Sequence, residues 1–150
     1  MALVPFDDRD GHIWYDGVMM PWRDAKLHVL THGLHYASGV FEGERAYSGN
    51  IFKLRAHTER LINSGRILGF EIPYTADEID AACIAVLKAN GQQDAYIRPV
   101  VFAPANMSFA LNTESYITIQ AWEMQPFLGE KLLSVMTSSF QRPNPKGFMI

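Results

Sequence analysis

Fifteen residues from Thr31 to Arg45 hold three glycines, two histidines, a tyrosine, a phenylalanine, two glutamates and an arginine. A core strand or an amphipathic surface helix has no need of that mixture. Glycine lets a backbone approach a ligand closely or take positive φ. Aromatic rings build an apolar wall, and an arginine holds a carboxylate or phosphate. The stretch reads as part of a small-molecule pocket.

Three arginines carry the anion-binding chemistry. Arg98 interrupts an otherwise apolar run, Tyr96 to Phe102. It is either an outward-facing residue on an edge strand or a cation aimed into a site. Arg45 follows Phe41 by four positions, so in a strand the two share a face with an apolar end and an anion-binding end. A surface salt bridge to Glu42 or Glu44 is the competing reading. Arg60 falls on a helix, where lone arginines are usually solvated. His28, His32 and His35 could hint at a metal, but Gly33 and Gly39 argue against the helix such spacing needs. Hydrogen bonding within the fold is the expected role for the histidines. Cys83 lies on an apolar helix face and reads as packing. Gly-x-Ser-x-Gly, Gly-x-Gly-x-x-Gly and P-loop signatures are absent from the sequence.

These side chains need a scaffold. At 150 residues, 48% hydrophobic and 19% charged, the chain can bury a core. A net charge of −3 with scattered lysines and arginines gives no basic field for nucleic acid. No apolar run reaches membrane-span length, and the first residues lack a signal-peptide pattern, so a cytoplasmic protein is expected. Ile13–Met20 predicts a hairpin turning at Asp16-Gly17, and Val40–Lys53 a second one turning at Ser48–Asn50. A half-exposed helix is expected over Arg55–Leu68, stopping at Gly69. Thr75 and Glu78 form a capping box ahead of Ile79, Ala82, Cys83, Val86 and Leu87, which recur at helical spacing until Asn90-Gly91. Strands should follow at Ala95–Ala103 and Tyr116–Trp122. Pro99 implies an edge position or a bulge in the first of them. Leu132–Ser138 predicts one more strand. The expected class is α+β: a small two-layer domain of antiparallel strands with two main helices over 1–127, a connector at 128–132, and the first strand of a second domain within 133–150.

Five stretches in order resemble the fold-type IV aminotransferases that use pyridoxal phosphate, above all the branched-chain amino acid aminotransferases. They are Trp14–Gly17, His32–Arg45, Phe52–Leu61, Tyr96–Pro99 and Ser138–Pro143. Tyr96-Ile-Arg-Pro99 is similar to the branched-chain subgroup more than to D-amino acid aminotransferases or aminodeoxychorismate lyases, which remain the alternatives within the family. The resemblance implies transamination between Leu, Ile or Val and 2-oxoglutarate, or its partner glutamate, by a homodimer or a dimer-based hexamer. It implies that Arg60 binds the cofactor phosphate and that Tyr36, Phe41, Tyr96 and Phe127 shape the substrate pocket. Phe127 stands where members often carry tyrosine. Arg98 matches the arginine that receives glutamate's distal carboxylate, and Tyr96 a residue near the α-carboxylate. The loop at Met107–Ala110, like Tyr36, would serve the neighbouring subunit's site. The lysine that forms the Schiff base with the cofactor would lie past Arg142-Pro143, beyond Ile150. Lys146 is near, but its Pro-Lys-Gly context does not match. A non-catalytic domain that packs on a partner is therefore the reading from a different class.

Overall fold

Asp16 and Gly17 both take positive φ and join β1 (His12–Tyr15) to β2 (Val18–Pro21), as the sequence predicts. Ser48 and Gly49 do the same between β4 (Glu44–Tyr47) and β5 (Asn50–Ile51). The computed structural model describes residues 4–108, 114–124 and 132–141. Its strands form one antiparallel sheet, in the order β2-β1-β7-β6-β4-β5, with β3 (Gly39–Phe41) also paired to β6 (Ala95–Phe102). β7 spans Tyr116–Glu123 and pairs with β6 along its whole length.

Pro99 is not at an edge. It lies within β6, which has β7 on one side and β3 and β4 on the other. The sheet accommodates it through a local gap. Glu42 N–H donates to the Pro99 carbonyl at 3.0 Å, so the return bond would need the N–H that proline lacks. The run expected as one strand over Val40–Tyr47 is accordingly split into β3 and β4 at Glu42-Gly43, in unchanged register.

Two helices cover one face of the sheet. α2 (Leu54–Ile67) buries Thr58, Leu61 and Gly65 and leaves a polar side outward. α3 (Ala76–Ala89) starts at the expected capping box, with Thr75 Oγ1 accepting from Glu78 N–H and the Glu78 carboxylate accepting from Thr75 N–H. Both helices end in the same paired carbonyl closure. Gly69 and Phe70 N–H donate to Arg66 and Gly65 carbonyls, and Gly91 and Gln92 N–H to Lys88 and Leu87 carbonyls. Ile79, Cys83, Val86 and Leu61 meet Ala46, Ile97, Val101, Ile117 and Ile119 in one buried core. Burying each such aliphatic side chain contributes roughly 1.5–3 kcal/mol.

The short helix α1 (His32–Tyr36) corrects the expectation that Gly33 would preclude one. A single turn suffices, and Ala37 in the left-handed region ends it. The strand expected at Leu132–Ser138 does not form. The segment has no pairing partner among the described residues, and Leu132, Val135, Met136 and Phe140 are exposed. Met107 and Ser108 of the Met107–Ala110 loop are described, whereas the rest of that loop, Phe127, most of the 128–132 connector and Lys146 lie outside the described residues.

Candidate active site

Strand alternation sorts β6 into two sets. Ala95, Ile97, Pro99 and Val101 face the helices, while Tyr96, Arg98 and Val100 face the open side. The register brings Arg45 opposite Tyr96 and Phe41 opposite Val100, so Phe41, Arg45, Tyr96 and Arg98 share that open face. Trp122 and Gln120 of β7 stand beside Tyr96 and Arg98. Four of the residues singled out in the sequence are thus gathered by three strands onto one surface.

Arg98 is the centre of this group. Its Nη2 donates to the Tyr96 hydroxyl at 2.8 Å. Its guanidinium carbon lies 4.4 Å from the centroid of the Phe41 ring and 5.3 Å from that of Tyr96. The Tyr96 ring packs against Trp122 with centroids 4.9 Å apart. Arg98 Nε is buried with no hydrogen-bond partner among the described residues. Leaving such a donor unpaired costs about 1–3 kcal/mol, and a carboxylate oxygen would satisfy it. The edge-strand reading of Arg98 is excluded, because β6 is an inner strand.

Gly43 makes room for this arrangement. A β-carbon built there would lie 2.4 Å from the Tyr96 hydroxyl oxygen and 3.1 Å from the ring carbon bearing it. The ring is rigid, so Gly43→Ala must displace Tyr96 and strain its bond to Arg98. We expect the variant to lose roughly 1 kcal/mol of stability, about the worth of one hydrogen bond, with the fold retained. Denaturant unfolding alongside circular dichroism would check this.

Arg45 faces the open side, but its guanidinium is committed elsewhere. Nη1 and Nη2 donate to the Met124 carbonyl at 3.2 and 3.3 Å. It ties the end of β7 to β4, and neither Glu42 nor Glu44 pairs with it. Tyr36 is on α1, off the three strands that gather the group around Arg98. Its ring centroid lies 4.5 Å from that of His32 and 6.2 Å from that of His35. The histidines hold local structure: His32 bonds Ser38 Oγ at 2.7 Å, His35 bonds the Val29 carbonyl at 2.8 Å, and His28 accepts from Leu30 N–H at 3.1 Å. Among the described residues no cluster of three His, Cys, Asp or Glu side chains could hold a metal ion.

Arg60 is separated from that group by the strand itself. Glu42 follows Phe41 and points to the helix face, where it accepts from Arg60 Nε at 2.6 Å and also from Arg60 Nη2. His57 Nδ1 donates to the same carboxylate at 2.9 Å. The pairing of Arg60 with Glu42 was not visible in the sequence, since 18 residues separate them. Nor was the burial of Glu44, which follows from alternation: with Glu42 facing inward, so must Glu44. Its side chain is 0% exposed and both its carboxyl oxygens lack partners among the described residues. Burial first, then the charges of Glu42 and Asp80, push its pKa up to about 8. Burial likewise raises the Cys83 thiol, in keeping with a packing role.

A family model described as Amino-transferase class IV matches residues 39–150. The chain is 48% identical over 145 residues to the branched-chain-amino-acid aminotransferase of Pseudomonas aeruginosa, covering 90% of this chain and 47% of that protein. The branched-chain aminotransferase from Thermoproteus uzoniensis, solved with norvaline, superposes with a TM-score of 0.85 at 33% identity, over 93% of this chain and 50% of that one. The branched-chain amino acid aminotransferase from Thermobaculum terrenum, solved in its PLP-form, gives a TM-score of 0.70 at 28% identity, over 82% of this chain and 43% of that one. The chain spans about half the length of the curated relative from Pseudomonas, and a third to a half of the others. With 112 of its 150 residues matched by the family model, the chain belongs to the class IV aminotransferases.

Proposed function

We propose that the protein carrying this chain exchanges an amino group between L-leucine, L-isoleucine or L-valine and 2-oxoglutarate, with pyridoxal phosphate as cofactor. The observation that carries this reading is the contact of Arg98 with both Phe41 and Tyr96. One pocket must accept a branched aliphatic side chain and, in the other half-reaction, a carboxylate. An aromatic wall with a guanidinium lying on it meets both needs. The aliphatic side chain packs on Phe41, and the carboxylate meets the half-buried guanidinium of Arg98. Tyr96, held by Arg98, aims its hydroxyl at the substrate's α-carboxylate. The names of the relatives point to branched-chain amino acids as the amino donors.

The chain's residues fit one part of the cofactor. Arg60 has a side chain 63% exposed on one side and a buried carboxylate behind it, which suits a phosphate anchor. When bound, pyridoxal phosphate supplies the carbonyl that takes the amino group and the electron sink that acidifies the substrate's Cα–H. In this reading residues 1–127 are the small domain, 128–132 the connector and 133–150 the start of the cofactor-binding domain. The exposed apolar side chains of Leu132, Val135 and Met136 support a packing partner outside the described residues. Exposed Leu27, Val29, Leu30 and Leu34 support assembly with a second copy, Tyr36 lying at that boundary.

The test is a substrate panel. Full-length protein, supplied with pyridoxal phosphate and 2-oxoglutarate, is expected to form glutamate from L-leucine, L-isoleucine and L-valine. Glutamate formed from D-alanine at a comparable rate would assign the protein to the D-amino acid branch instead. No amino transfer from any donor would favour the non-catalytic reading.

A further inference from the structure

We infer that Glu42 is a positioning residue for anion capture: its buried carboxylate holds the Arg60 guanidinium in one orientation, with the remaining N–H edge presented to the cofactor phosphate. This inference rests on the reading of Arg60 as the phosphate anchor and adds to it a residue that never touches the cofactor.

Three observations support it. The first is where Glu42 is fixed. Its N–H bonds the Pro99 carbonyl at 3.0 Å, and the β3 register on β6 fixes its direction. The carboxylate therefore hangs from backbone pinned to the inner strand β6. The second is the contrast in exposure. The Glu42 side chain is 6% exposed and that of Arg60 is 63% exposed. A long exposed arginine loses rotamer freedom when it captures an anion, and a carboxylate that grips it beforehand removes much of that cost.

The third is the contact geometry. Glu42 accepts from Nε and Nη2, one edge of the guanidinium, using both carboxylate oxygens. A planar fork gripped along one edge must point its other edge away, and Nη1 has no partner among the described residues. His57 Nδ1 donates to Glu42 Oε2 at 2.9 Å and stops the carboxylate from rotating. Burial alone would raise the Glu42 carboxyl, yet the bonds from Arg60 and His57 hold it below its ordinary value, so it stays charged for the task. Glu42 also repels an anion, but Arg60 and His57 bond both its oxygens and offset that charge. Orientation is the stronger effect.

The experiment compares two ligands in the same variant, so that any loss of folded protein cancels. Affinities of the full-length apoprotein for pyridoxal phosphate and for pyridoxal, which lacks the phosphate, are measured by fluorescence titration. Wild type should prefer pyridoxal phosphate strongly. Arg60→Ala should lose most of that preference. Glu42→Gln keeps the shape but loses the charge and turns an NH2 donor toward one of the two guanidinium N–H groups, and should lower the preference roughly 10- to 100-fold with pyridoxal affinity unchanged. Glu42→Asp should fall between Glu42→Gln and wild type. If Arg60→Ala keeps the full preference, the anchor reading itself is wrong. If Arg60→Ala loses it while Glu42→Gln keeps or increases it, Arg60 is the anchor and Glu42 does not position it.

Discussion

Replacing Arg98 by alanine in the full-length protein is expected to cut kcat/KM for glutamate by roughly 100-fold or more, while that for leucine falls only a few-fold. In the proposed transamination the two half-reactions share one pocket, so each substrate reports on the same residue separately. A carboxylate bonded to a guanidinium gains about 1.5–3 kcal/mol for each charge-assisted bond, and two such bonds exceed a factor of 100. Leucine has no group to meet that cation. It feels the change through Phe41, which loses the planar surface lying 4.4 Å from its ring centroid, and through Tyr96, which loses its bond from Arg98, and glutamate shares both effects. Arg98→Lys should be intermediate. Lysine keeps the charge but cannot bond Tyr96 and a carboxylate as a planar fork does, nor lie flat on Phe41. Equal losses for glutamate and leucine would mean that Arg98 supports the pocket's shape and does not select a substrate.

Much of this site follows from local rules written in the sequence. Turn chemistry at Asp16-Gly17 and Ser48-Gly49, the Thr75–Glu78 box and the stops at Gly69 and Gly91 each depend on a few neighbouring residues, and each is found. Alternation places Phe41 and Arg45 on one face, and the β6 ladder adds Tyr96 and Arg98. The sequence is silent where two distant segments must be known together. Pro99 suggests an edge, but a central strand tolerates it because only one donor is lost, opposite Glu42. Arg45 carries an anion-binding charge, yet its donors reach Met124, 79 residues away. Nothing local marks Glu42 as the partner of Arg60. Glu44 is the sharpest case, since a glutamate between glycine and arginine looks solvated and is fully buried.

That burial makes Glu44 a pH-dependent weakness in the core. The carboxyl points from β4 toward α3, where Asp80 and Cys83 face it, and Glu42 stands two residues back on its own side of the strand. Asp80 gives it no hydrogen bond, being itself engaged as acceptor by Thr58 at 2.5 Å and Arg55 at 2.9 Å. A charge left unpaired in such a place is avoided by keeping the proton. In the unfolded chain the group titrates near 4.5, and in the folded protein near 8. Between those values the folded state binds the extra proton, so unfolding free energy falls as pH rises. The loss from pH 4.5 to 8 is on the order of 4 kcal/mol, and roughly 3 kcal/mol of it is already present at pH 7. Below the lower value and above the higher one, this group contributes no slope. Glu44→Met keeps the volume and removes both the ionisation and the unpaired oxygens. Denaturant unfolding of both proteins across this range should show the methionine variant gaining on wild type steadily with pH, by several kcal/mol at pH 8. The comparison cancels the titrating groups that do not sense Glu44, so parallel pH profiles would show that Glu44 does not hold its proton in the folded state.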